Sequence, residues 1–149
     1  MEPIVMHSIG VIHTPFKESA ETPIQSSRSS AKGEIEVFSD FIEGLDGVED
    51  FSHLILLYVW HLAPKAEELK VKPFLDDHKY GVFATRYPCR PNPIGISVVQ
   101  LLEREGNRLK IQGVDMLNET PLLDIKPYVP EFDIHPAERI GWYSRRANP

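Results

Sequence analysis

One cysteine, Cys89, is present among 149 residues, so no internal disulfide can form and a reducing cytoplasm is the expected home. No apolar stretch approaches the roughly 20 residues that a bilayer-crossing helix needs, and a membrane partner is not expected. Residues 1–10 lack the basic and apolar regions of a signal peptide. The six histidines, His7, His13, His53, His61, His78 and His135, show no paired ligand spacing, so no metal is expected. There is no Gly-x-Gly-x-x-Gly after a strand, which leaves a doubly wound nucleotide fold unsupported. No nucleophile elbow is present either, and hydrolase chemistry has nothing to stand on. Basic residues are scarce at the start: residues 1–50 hold ten acids against three bases, whereas residues 51–149 are almost balanced within a net charge of -6. An RNA partner therefore needs a local basic patch, for which Arg86, Arg90, Lys126, Arg145 and Arg146 are the candidates.

What is present reads as a small globular domain, with 42% hydrophobic and 26% charged residues. Short β-branched runs punctuated by turn residues recur along the chain. Residues 5–12 and 33–38 read as strands, the latter with Ile35 and Phe38 inward. Residues 51–62 form the most apolar run, read as a central strand buried on both faces, with a buried helix as the alternative. Residues 40–50 suit a helical turn or loop, residues 67–70 a helical turn, and residues 81–86 a strand. Residues 96–103 and 108–116, joined at Glu105-Gly106-Asn107, read as a hairpin. Many strands and few helices indicate a mostly β domain, sandwich or barrel.

The densest chemistry lies in residues 81–97, Gly-Val-Phe-Ala-Thr-Arg-Tyr-Pro-Cys-Arg-Pro-Asn-Pro-Ile-Gly-Ile-Ser. Pro88, Pro91 and Pro93 fix their own φ and push Tyr87, Arg90 and Asn92 towards extended geometry. Arg86 and Arg90 each carry a planar fork of donors suited to carboxylate or phosphate, and the Asn92 amide can donate and accept. A stiff polar loop of this kind is a recognition element. Cys89 within it has no identifiable paired base and reads as incidental.

This loop, together with Phe51-Ser52-His53-Leu54 and Thr120-Pro121-Leu122-Leu123-Asp124-Ile125-Lys126-Pro127-Tyr128, closely resembles the TsaA-like family, also called TrmO, of S-adenosylmethionine-dependent tRNA methyltransferases. The resemblance runs from about residue 9 to about residue 130. It implies a small single-domain β-barrel over residues 1–130 that forms a homodimer, with short helical turns and residues 131–149 as a C-terminal arm. Longer family members carry a further C-terminal domain, which this chain is not expected to have. The arm needs a surface to cover Trp142 and Tyr143.

Carried over by position, the resemblance places the methyl donor against Pro23, Ile24, Gln25, Trp60, His61, Arg86, Ile96, Asp115, Met116, Leu117 and Asn118. It implies methylation of N6 of threonylcarbamoyladenosine beside the tRNA anticodon. Arg90 and Asn92 are then the acceptor-positioning groups, with Lys126 and Tyr128 in support. Asp115 either faces the donor's sulfonium or acts as a base, whereas Asp124 beside Lys126 reads as a loop brace. Two departures stand out: the family commonly has Arg at the place of Ile24, and Asp-Gly-Thr at the place of Asn118-Glu119-Thr120. Losing that glycine removes easy access to positive φ. The alternatives are a methyltransferase for another RNA or a small molecule, and a donor-binding module without turnover.

Overall fold

The computed structural model describes residues 1–18, 21–23, 27 and 29–145. They fall into two compact units, one drawn from residues 1–61 with 94–128, the other from residues 62–93 with 129–145. The first is a closed six-stranded barrel built from β1 (Gly10–His13), β2 (Lys32–Val37), β3 (His53–Val59), β6 (Ile94–Glu105), β7 (Arg108–Gln112) and β8 (Thr120–Pro127). The strands neighbour one another in the order β1-β2-β7-β6-β3-β8, every pair antiparallel, and β8 pairs back onto β1 to close the ring. Between β3 and β6 the chain forms the second unit, whose sheet is the two-stranded pair β4 (Lys70–Val71) and β5 (Tyr80–Gly81).

A closed barrel has one interior, so each strand contributes alternate side chains to it. In β3, Leu54, Leu56 and Tyr58 are buried while Ile55, Leu57 and Val59 are half-buried. The apolar run is thus a strand as expected, but its two faces differ and only one enters the core. Leu54 and Leu56 meet Ile12, Ile35, Leu109 and Ile111 in the centre of the barrel, each contributing roughly 1.5–3 kcal/mol by leaving water.

Other elements depart from expectation for local reasons. The inward pair in β2 is Ile35 and Val37, two residues apart as a strand requires, and Phe38 is 41% exposed beyond the strand's end. Residues 5–12 contribute only Gly10 to Ile12 to a strand. Residues 82–84 turn into a 3-10 helix, closed by the Thr85 N–H and hydroxyl, both donating to the Val82 carbonyl at 3.0 and 2.8 Å. No helical turn forms at residues 67–70, where Lys70 instead opens β4. The 40–50 segment does wind into 3-10 helices at Ser39–Leu45 and Val48–Asp50, and the hairpin forms as β6 and β7. Strand β8 was not foreseen, because Pro121, Asp124 and Lys126 interrupt its apolar pattern.

In the second unit, the one-turn helix α1 (Pro130–Asp133) and the 3-10 helix Gly141–Arg145 accompany the loop residues. Trp142 stacks on Tyr80 with centroids 5.8 Å apart and planes at 21°, and its indole N–H donates to the Ala84 carbonyl at 2.7 Å. No helix among the described residues is long and apolar enough to cross a membrane.

Candidate functional site

The β3–β6 register sets Tyr58 opposite Gly95 and Leu56 opposite Ser97. Tyr58 and Ser97 are respectively 2% and 3% exposed. Their oxygens lie 2.8 Å apart, and the Ser97 hydroxyl donates to the Asp115 carboxylate at 2.5 Å. A serine hydroxyl has one proton, so when Ser97 gives it to Asp115 the Tyr58 hydroxyl is the donor to Ser97. The result is a directed chain ending on a carboxylate, with a short charge-assisted last link. Trp60 meets the Tyr58 ring edge-on, with centroids 6.0 Å apart and planes at 88°.

Asp115 lies in the loop between β7 and β8, and that loop is clamped from several sides. The Thr14 hydroxyl donates to the Met116 carbonyl at 2.8 Å, while the Thr14 N–H donates to the Asn118 side-chain oxygen at 3.0 Å. The Asn118 N–H returns a bond to the Phe16 carbonyl at 2.7 Å. Thr120 and Ser29 hydroxyls hold the Leu117 and Val114 carbonyls, each at 2.6 Å. Glu119 sits at φ 64, the one non-glycine in the left-handed region among the described residues. Such an arrangement presents a fixed negative charge at one end of the barrel, suited to holding a cation without reacting with it.

In the second unit, one Arg90 guanidinium nitrogen, Nη1, donates to the Thr85 and Tyr87 carbonyls at 2.9 and 3.2 Å. Both partners are neutral, so they orient the guanidinium without cancelling its charge. Asn92 and Arg86 are exposed. Behind the loop, the Asp76 carboxylate accepts from the Tyr80 hydroxyl at 2.7 Å and from the backbone N–H groups of Asp77 and His78 at 2.6 and 3.1 Å. It also meets the Arg145 guanidinium at 3.0 Å. The Tyr80 hydroxyl holds this carboxyl well below the usual range, with burial opposing and His78 and Arg145 adding to the effect.

Of the donor residues inferred from the sequence, Trp60, Asp115, Met116, Leu117 and Asn118 belong to the barrel end just described. The Met116 side chain is buried in the core, so its share of any contact is through the backbone. Ile96 follows Gly95 on β6, but its side chain points outward, 48% exposed and opposite Leu57. His61 is exposed after β3 and Pro23 is half-buried, while Ile24 and Gln25 lie outside the described residues. Lys126 and Tyr128 are not grouped with Asp115. Tyr128 lies against His53, with ring centroids 6.1 Å apart, at the end of β3 away from Tyr58. That is five residues along the strand, roughly 17 Å by strand rise. Lys126 pairs with Asp124 at 2.9 Å, the brace that their proximity suggested. Arg145, a candidate for a basic patch, is engaged by Asp76, and Arg146 is outside the described residues.

Sequence reasoning missed Tyr58, Ser97 and Thr14. A signal for Ser97 was available: it stands at an inward position of a strand whose next inward residue is Val99, where a hydroxyl has to be satisfied internally.

A family model described as the tRNA-methyltransferase O N-terminal domain matches residues 11–134. A probable S-adenosyl-L-methionine-binding protein of Pyrococcus abyssi is 55% identical over 97% of this chain and 79% of its own length. A mouse tRNA (adenine(37)-N6)-methyltransferase is 37% identical over 87% of this chain, which spans 32% of that protein. The crystal structure of TrmO from Pseudomonas aeruginosa superposes with a TM-score of 0.78 at 39% identity, covering 95% of this chain and 62% of that one.

Proposed function

The chain belongs to the tRNA-methyltransferase O N-terminal domain family, and from that premise we propose that it is an S-adenosylmethionine-dependent methyltransferase acting on N6 of threonylcarbamoyladenosine next to the tRNA anticodon. The names borne by the Pyrococcus and mouse relatives support donor and acceptor respectively. The observation that carries the reading is the Tyr58–Ser97–Asp115 chain. A carboxylate oriented by a buried hydroxyl suits the positive sulfonium of the donor and stabilises it by charge alone. Trp60 and the backbone of residues 115–118 complete the donor contacts in this assignment, and Arg86 meets the donor's carboxylate.

Arg90 and Asn92 are assigned to the acceptor. The reacting nitrogen belongs to a urea and carries a proton, so its lone pair is delocalised. Transfer forms the N–CH3 bond as the S–CH3 bond breaks, and the proton leaves to solvent. The chain's contribution is alignment of nitrogen, methyl and sulfur, for which the oriented guanidinium of Arg90 is fitted. A second reading, the same donor chemistry on another acceptor, is favoured by Glu119, which holds a glycine-type conformation in the loop beside Asp115.

A homodimer in the cytoplasm completes the proposal. Its support is the outer face of β3 and β6, where Ile55, Leu57 and Val59 pair with Val98, Ile96 and Ile94 to leave an apolar surface. Light scattering at micromolar concentration should give twice the chain mass, and a monomer would contradict the dimer. The role of Arg90 is tested with Arg90→Ala and Arg90→Lys. Loss of tRNA methylation with donor affinity retained supports the assignment; unchanged methylation in both variants overturns it.

A further inference from the structure

Residues 62–93 enclose a hollow of about 210 Å³ whose walls are three prolines, Pro64, Pro91 and Pro93, and two alanines, with Lys65 and Arg90 the charged residues on its lining. Proline walls hold their shape without a ligand. Two cations share this small space, and no carboxylate lines it. The bonds that Arg90 makes go to the neutral carbonyls of Thr85 and Tyr87, and among the described residues neither Lys65 nor Arg90 forms an ion pair. Of the two acids nearby in the sequence, Glu67 and Glu68, neither lines the hollow, and Glu68 pairs with Lys79 at 3.6 Å. Two cationic side chains bordering one small hollow are each stabilised when an anion sits between them. A guanidinium with a fixed plane offers directed donors, and the flexible ammonium adds a point charge that can close on the same oxygens.

We propose that this hollow is an oxyanion subsite in which Lys65 and Arg90 together hold one anionic group of the acceptor. The chemistry fits a phosphodiester of the RNA backbone or the carboxylate of the threonyl group, and it rests on the acceptor assigned above. Lys65 is a binding residue in this account, although nothing in the sequence motifs marks it.

The experiment uses the full chain as wild type, Lys65→Ala and Lys65→Arg. Lys65 is exposed, so the variants should fold, and circular dichroism checks that they do. Inorganic phosphate is titrated first, followed through the backbone amide resonances. Shifts at residues 63, 65, 66 and 90 in the wild type, lost in Lys65→Ala and kept in Lys65→Arg, are expected. Their absence in the wild type overturns the subsite whether or not tRNA is methylated. Anticodon stem-loop RNAs with and without the threonylcarbamoyl group then identify the source. Removing one phosphate contact weakens binding of both RNAs by about fivefold and flattens the salt dependence by about 0.7–0.9 in log-log slope. Weakening confined to the carbamoylated RNA assigns the carboxylate, and no weakening of either RNA overturns the proposal. Loss of binding without any methyl transfer would overturn the assigned reaction and leave the subsite standing.

Discussion

The ring of Tyr58 lies directly over Gly95, its register partner on β6, so closely that a Cβ at position 95 would stand 2.3 Å from the ring edge. Glycine is required here by space, because the tyrosine must cross β6 for its hydroxyl to reach Ser97. Gly95→Ala is expected to destabilise the barrel by about 1–3 kcal/mol, the usual cost of overpacking a tight core. Urea denaturation reads this as a lower midpoint, and an unchanged midpoint would contradict the close approach.

Ser97→Ala removes the donor that orients Asp115. Hydrogen bonds to charged groups are worth about 1.5–3 kcal/mol, so affinity for S-adenosylmethionine should fall on the order of tenfold with the fold retained. Tyr58→Phe acts one link further away and should weaken the donor less. Calorimetric titration of both variants checks the order; a larger loss in Tyr58→Phe would mean the chain does not run towards Asp115.

Glu119 holds φ 64 in the loop that presents Asp115. A side chain in that region costs about 1–2 kcal/mol, which glycine avoids. Glu119→Gly should therefore raise stability by up to about 1 kcal/mol, after glycine's greater freedom in the unfolded chain is set against it. A lower thermal midpoint in this variant would show that the glutamate side chain makes a compensating contact.

Much of this was open to reading in the sequence, and the failures have physical causes. The β6–β7 hairpin was legible because its pairing is local and Gly106-Asn107 marks its turn. The closing pair β1–β8 was not, since Ile12 meets Thr120 across most of the chain and local pattern carries no information about such a partner. In β3 the unbroken apolar run marked a buried strand, yet which face enters a barrel depends on the other five strands. In the proline-arginine loop the stiffness could be read from three prolines, but the carbonyls that orient Arg90 could not. Charge alone likewise made Arg145 a candidate for a basic patch, whereas folding pairs it with Asp76, a residue 69 positions away.

Asp76 makes the second unit sensitive to acid. Its carboxyl is held below the usual range by the Tyr80 hydroxyl first, and then by His78 and Arg145, against the opposing effect of burial. A folded-state value below the unfolded one, about 3.9, means that the unfolded chain takes up the proton first. The stabilisation is therefore fully present above about pH 4 and is lost as pH falls below it towards the folded value. Asp76→Asn should be less stable at neutral pH, and the gap to the wild type should narrow on acidification. A gap that stays constant from pH 7 to pH 3 in urea denaturation would remove Asp76 from this role.

The central claim is transfer of a methyl group to the threonylcarbamoyl-bearing adenosine. Purified protein, S-adenosylmethionine labelled in its methyl group, and tRNA that either carries or lacks the threonylcarbamoyl modification test it directly. The account predicts label in the carbamoylated tRNA and none in the unmodified tRNA. Label in neither, with donor binding intact, would contradict it and assign the donor site to another acceptor.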